Sequence, residues 1–169
     1  MIRFQKITPN LWFDSNAEDA VRFYTSIFKD SSIVKMSYYG REGQEIHGMP
    51  EGTVMVIEFS LDGQSFLALN GGPVFKFNEA ISMVIHCGPQ EEVDYFWEKL
   101  AEGGDPSAQQ CGWLKDKFGL SWQVVPQILG ELIADEDADK SARVMHAMLQ
   151  MKKIDIAALE AAYFGTPVI

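Results

Sequence analysis

The chain has little of what reactive or metal-binding sites are usually built from. Of its 169 residues two are cysteine and three are histidine, and 14 basic side chains face 24 acidic ones, for a formal charge of −10 and a pI near 4.7. Cys87 and Cys111 make only one possible pair. They have neither the short spacing of a zinc knuckle nor a secretory context, so both read as free thiols. The shortage of basic residues makes exposed faces repel phosphate backbones and anionic lipid, which argues against nucleic acid and membrane surfaces as partners. No stretch approaches the roughly 18 apolar residues of a membrane span, and Met1-Ile2-Arg3-Phe4-Gln5-Lys6 has no long apolar run behind it. A cytoplasmic protein is the expectation. The length suits one domain, residues 1–169, that buries roughly two-thirds of its unfolded surface without help from a metal or disulfide.

What the chain does have is an internal repeat. Glu18-Asp19-Ala20-Val21-Arg22-Phe23-Tyr24-Thr25-Ser26-Ile27 returns 73 residues later as Glu91-Glu92-Val93-Asp94-Tyr95-Phe96-Trp97-Glu98-Lys99-Leu100. Each copy sets two acids ahead of an aromatic pair and follows an apolar run, Leu11-Trp12-Phe13 in one and Val84-Ile85-His86 in the other. Two copies of a strand-helix unit too small to close a core predict paired modules with a concave surface able to hold a small ligand.

Strands are expected over 7–13, 33–39, 53–61 and 64–69, the last two joined by Asp62-Gly63, a dipeptide suited to a tight hairpin turn. Ser15-Asn16-Ala17-Glu18 matches a capping box and opens a helix over 15–29. Its stripe is Ala20, Phe23, Tyr24, Ile27 and Phe28. Asn70-Gly71-Gly72-Pro73 breaks the chain. A second module follows: a strand over 81–87, Pro89 in the first turn of a helix with Val93, Phe96, Trp97 and Leu100 as its stripe, then Gly103-Gly104. Two strands between Cys111 and Pro126 turn around Asp116-Lys117, while a strand between Gly104 and Cys111 is only weakly marked. Beyond Pro126 the pattern is helical: 128–134, an acidic loop over 135–139, a helix carrying Met145, Met148 and Leu149, and one over 156–163 capped by Asp155. The fold class is α+β, with paired βαβββ modules over about 6–70 and 78–126 and a helical extension over 127–165.

The duplication, the Asn16-Ala17-Glu18-Asp19-Ala20 helix and above all Cys111-Gly112-Trp113-Leu114-Lys115-Asp116 with Ser121-Trp122-Gln123-Val124-Val125-Pro126 resemble the PhnB-like branch of the vicinal-oxygen-chelate (glyoxalase and bleomycin-resistance) superfamily. This branch is also called 3-demethylubiquinone-9 3-methyltransferase-like. The resemblance implies a mixed sheet curled around a cavity, with ligand chemistry inside the curl, in a homodimer. Metal-using members supply His and Glu ligands to a divalent cation that chelates substrate oxygens. Carried onto this chain, those positions fall near Thr8 or Pro9, near Leu67 or Ala68, near Ser82 and at Gln123, none of which is His, Asp, Glu or Cys. Hydroxyl and amide oxygens are weak ligands for transition metals, so no cofactor is expected and a divalent metal is disfavoured.

The candidate ligand-binding residues are therefore Trp113, Trp122, Gln123, Ser82, Thr8 and His86. Two indoles can sandwich a planar or apolar ligand while an inward amide orients it, although tryptophans at these positions serve equally well as core. His86 lies on the strand where a ligand is expected but displaced along it, and reads first as a half-buried strand histidine bonded to backbone. His47 with Glu45 in a Gly-rich loop reads as solvated, with an acid-base pair as the alternative. His146 packs or faces solvent. Lys115 and Asp116 read as a solvated hairpin tip before an acid and base, and Cys111 as an inert thiol. The glycine doublets Gly71-Gly72 and Gly103-Gly104 open no strand-to-helix nucleotide turn, so the methyltransferase label carries no motif here. The sequence thus favours a metal-free small-molecule binder of unknown activity. The alternatives are a metal-dependent enzyme of the glyoxalase or dioxygenase type, methyl transfer, or an enzyme using other residues such as His47, Glu45 and Asp116.

Overall fold

The structure, a computed structural model, describes residues 5–166. Among them are seven strands in two mixed sheets, neither closed into a barrel, and six α-helices. The chain divides into two compact units, Met1–Lys76 and Phe77–Ile169.

The first unit runs β1 (Asn10–Phe13), α1 (Ala17–Ile27), β2 (Ser32–Tyr38), a single turn of helix α2 (Gln44–His47), β3 (Val54–Leu61) and β4 (Gln64–Asn70). Its sheet has the order β1-β4-β3-β2, with β1 parallel to β4 and the other pairs antiparallel. Period-two alternation assigns Leu11, Phe13, Ile57, Phe59, Phe66 and Ala68 to one buried face, against which α1 lays Ala17, Ala20, Val21, Tyr24 and Ile27. Asp62 and Gly63 both take positive φ, 48° and 73°, as the tight turn between β3 and β4 requires. Gly71 meets a different demand, since a Cβ there would collide with the Trp12 ring, whose Nε1 donates to Gly72 O at 2.9 Å.

The expected capping box does not form. Asn16 occupies the N-cap position with no side-chain cap, and Glu18 pairs instead with Arg22 at 2.7 Å. The first amide of α1, Ala17 N, donates at 2.9 Å to Oδ1 of Asn70, a buried residue at the end of β4 whose Nδ2 donates to Val54 O at 3.0 Å. A buried amide fixed by two elements is already in place when the helix docks. A serine hydroxyl at the surface must be ordered for the purpose.

The second unit runs β5 (Met83–Cys87), α3 (Gln90–Ala101), β6 (Trp113–Lys115) and β7 (Ser121–Pro126), then α4 (Gln127–Ile133), α5 (Ala138–Leu149) and α6 (Ile156–Phe164). Its sheet has the order β5-β7-β6, with β5 parallel to β7. This repeats the first sheet with β5, α3, β6 and β7 standing for β1, α1, β3 and β4. The counterpart of β2 is missing: the weakly marked stretch forms a 3-10 turn over Pro106–Ala108 and one isolated bridge, Gln110 to Trp113. The second module is therefore βαββ. The repeat also slips by one residue. Helix α3 follows α1 by 73 residues, but the buried pair on β5 is Ile85 and Cys87, matching Leu11 and Phe13 at a spacing of 74. The loop between strand and helix absorbs the difference.

Helices α4 to α6 enclose a core of Leu129, Val144, Ile154 and Leu159, with Met148, Met151 and Tyr163 packed on it. Asp137 and Asp155 cap α5 and α6 through their side chains, the latter as expected. The extension is stitched to its own unit: Cys111 N and Gly112 N donate to Met151 O and Lys152 O, and Gln90 spans Ile154 O and Ile156 N. No helix among the described residues is long and apolar enough to cross a membrane.

Candidate functional site

In the second unit, alternation along β7 sends Trp122, Val124 and Pro126 to the side of α3 and Ser121, Gln123 and Val125 to the other. Cross-strand pairing extends that second face. Gln123 is flanked by Val84 on β5 and Trp113 on β6, Ser121 stands opposite Lys115, and Ser82 lies just ahead of β5. Gln123 Nε2 donates to Ser82 Oγ at 2.8 Å, so both groups are already oriented. Trp113, Gln123 and Ser82 are all half-buried, while Val84 and His86 on the same face are exposed.

Trp122 lies elsewhere. It is 3% exposed, beside Leu114 on the α3 side, and its Nε1 donates to Oδ2 of Asp116 at 2.8 Å. The structure thus separates Trp113 and Gln123 from Trp122, whose ring belongs to the core. Strand parity is the signal that distinguishes them, because adjacent residues on a strand face opposite ways. Asp116 is not a solvated tip. It is 2% exposed, and its Oδ1 accepts from Phe118 N at 2.8 Å and Leu120 N at 3.1 Å. It shares the parity of Leu114, so the carboxylate turns inward and organises the turn between β6 and β7. Lys115 faces the other way and pairs with Glu79.

Strand registers resolve the carried-over positions. At the spacing of 74, Val84 beside Gln123 corresponds to Asn10 beside Leu67, and Ser82 corresponds to Thr8. Leu67 is half-buried on the face of the first sheet turned away from α1, and Thr8, just ahead of β1, is half-buried, whereas Ala68 is wholly buried beneath that helix. Each unit thus offers one pair at equivalent points, Thr8 with Leu67 and Ser82 with Gln123. Neither pair includes an imidazole, thiolate or carboxylate, the usual side-chain ligands of a divalent transition metal. Among the described residues no three His, Cys, Asp or Glu side chains come together as a metal site.

The remaining candidates are dispersed. His47 Nδ1 accepts from Met49 N at 3.0 Å, its ring lies 4.5 Å from that of Tyr39, and Glu45 beside it is exposed. His86 and His146 are exposed. The Cys87 thiol is buried, and desolvation, with the Glu92 carboxylate adding to it, pushes its pKa up to about 11, far from a nucleophile's. Cys111 takes a positive φ of 49° at the junction with the C-terminal segment.

Sequence reasoning passed over Ser121, which is 1% exposed and whose hydroxyl has no hydrogen-bond partner among the described residues. The Ser121-x-Gln123 alternation on a strand could have flagged it. Glu79, the partner of Lys115, lies in an irregular segment and carried no such signal.

A model of the family described as 3-demethylubiquinone-9 3-methyltransferase matches residues 5–125. Among solved structures, a PhnB protein from Bacillus cereus described by the same activity is 39% identical, over 72% of this chain and 99% of its own, with a TM-score of 0.61. A protein from Pseudomonas aeruginosa is 20% identical over 73% of this chain and 98% of its own, with a TM-score of 0.56. The fosfomycin resistance protein FosX from Listeria monocytogenes is 17% identical over 78% of this chain and 97% of its own, with a TM-score of 0.50. At these last two identities the likeness is one of fold alone. No curated protein matches the chain.

Proposed function

Since the chain belongs to the 3-demethylubiquinone-9 3-methyltransferase family, the PhnB-like branch of the vicinal-oxygen-chelate superfamily, we propose that it is a small-molecule-binding protein that works without the superfamily's divalent cation. The ligand lies against the half-exposed face of the second sheet. Trp113 offers a flat apolar surface, and the Gln123 amide, held by Ser82, orients polar atoms of the ligand. The observation that carries this reading is the equivalence of Thr8 and Leu67 to Ser82 and Gln123, since a leucine at a ligand position removes a donor outright. Methyl transfer, named in the family's description, finds no support in the strand-to-helix turns. The turns that lead from β1 into α1 and from β5 into α3 are Asp14-Ser15-Asn16 and Gly88-Pro89, neither of them glycine-rich, and the segment after β2 that holds Gly40 and Gly43 opens only the single turn α2.

Elemental analysis of the purified protein tests the reading, together with melting curves recorded with added Zn, Ni, Fe or Mn salts. The expected result is metal well below one equivalent and an unchanged melting temperature. Stoichiometric metal that stabilises the fold would overturn it. A homodimer is part of the same proposal, and sedimentation at micromolar concentration should give twice the chain mass.

A further inference from the structure

We propose that the ligand of this face is a small planar carboxylate, bound by Lys115 Nζ and the Ser121 hydroxyl in the place where the protein's own Glu79 now pairs with Lys115. The inference rests on the binding reading above and adds the ligand's charge and the contact it must displace.

Lys115 and Ser121 are direct cross-strand partners on β6 and β7. Their Cβ atoms therefore lie about 4.5–5.5 Å apart on one face. The Lys115 side chain is 24% exposed, and its ion-pair partner Glu79 is 61% exposed. Ser121 Oγ is sealed from solvent and has no partner among the described residues. Buried hydroxyls are ordinarily bonded, so one left open on the residue paired with Lys115 across the sheet marks a donor awaiting an acceptor. Glu79 does not satisfy it.

A ligand carboxylate has two oxygens to place. One takes over the Lys115 ammonium, matching what Glu79 provides, and the other accepts from the Ser121 O–H, which Glu79 leaves unused. The exchange trades one charge-assisted contact for two. A neutral ligand has nothing with which to displace Glu79 from the ammonium. Trp113 stands two residues from Lys115 on β6 and so shares its face, placing a flat ring beside the carboxylate with the Gln123 amide next to it. Glu79 and Ser82 belong to one short irregular stretch ahead of β5, and each holds this face by one side-chain contact, to Lys115 and to Gln123. Displacing Glu79 frees one of these two ties, while the other stays attached to the strand.

Calorimetric titration of the protein with benzoate and with its neutral isostere benzamide tests this, using wild type, Glu79→Gln, Lys115→Met and Ser121→Ala. Benzoate should bind wild type at least about tenfold more tightly than benzamide, a gap of one decade in Kd. Glu79→Gln should tighten benzoate binding by removing the internal competitor and leave benzamide unchanged. Lys115→Met should abolish the preference. If that variant fails to fold, Ser121→Ala keeps the question open to test: it should weaken benzoate several-fold without lowering the melting temperature, because the hydroxyl it removes holds nothing in the free protein. Equal affinities for benzoate and benzamide, or a benzoate affinity indifferent to Glu79→Gln, would overturn the carboxylate assignment while leaving a binding face in place. No binding of either probe to wild type or Glu79→Gln would also overturn it. The separate failure of the metal-free reading would show in the elemental analysis.

Discussion

Replacing Asp116 by asparagine changes one atom of the turn between β6 and β7 and should be disproportionately costly. The carboxylate is 2% exposed and accepts from two backbone amides through Oδ1 and from the Trp122 indole through Oδ2 at 2.8 Å. An asparagine can keep its oxygen toward Phe118 N and Leu120 N, but its NH2 must then face the indole N–H, donor against donor. That loses a charge-assisted bond and strands two buried donors, for about 2–4 kcal/mol in all. Asp116→Ala strands the backbone amides as well and should cost more, about 3–5 kcal/mol, in the exceptional tail of single substitutions. The diagnostic measurement is a double-mutant cycle with Trp122→Phe, followed by urea unfolding and circular dichroism so that the lost indole does not affect the signal. With no indole N–H to confront, Asp116→Asn should cost less when Trp122→Phe is already present, giving a coupling of about 1 kcal/mol or more between the two sites. Additive costs within about 0.5 kcal/mol would refute the assignment of the Asp116→Asn cost to the indole contact.

Three further outcomes follow from the same geometry. Asn70→Ala removes the acceptor for Ala17 N and the donor to Val54 O and should destabilise the fold by about 2–3 kcal/mol in chemical denaturation, whereas Ser15→Ala, at the unformed capping box, should stay within about 0.5 kcal/mol. The buried Cys87 thiol, raised from 9.0 to about 11, should resist alkylation at pH 8 until the protein unfolds. Because its folded value lies above its unfolded one, the stability it contributes is whole below pH 9 and is lost as pH rises from there through about 11, a loss that Cys87→Ala should remove from the alkaline limb of a stability profile. Asp94 is held below the usual carboxylate range by Lys153, with Gln90 adding to it, so its contribution is present above the unfolded value and disappears as pH falls through the folded one. Lys153→Met should flatten that part of the acid limb, read as melting temperature against pH between neutrality and strong acid.

The local grammar of the chain was sufficient for most of the elements. Apolar spacing in Ala20-x3-Tyr24 and Val93-x3-Trp97 forces helices to bury one stripe, and Asp62-Gly63 admits one kind of turn, because these effects act over a few residues and need no distant partner. The repeat itself was visible because both helices must present the same stripe to the same kind of sheet. Strand alternation is also local, and applied strictly it parts Trp122 from Gln123 without any long-range contact.

Pairing in space decided the rest. Asn70 caps α1 from 53 residues away, which no capping motif can announce. The one-residue slip between the repeats is absorbed in a loop, so only the register of β1 with β4 and of β5 with β7 identifies Thr8 and Leu67 as the counterparts of Ser82 and Gln123. Burial of Asp116 and isolation of the Ser121 hydroxyl depend on which groups surround them after folding. Sequence sets the chemistry each residue can perform and the face of its own element on which it stands. Which side chains meet, and which are left without a partner, follows from long-range contacts that no short window contains.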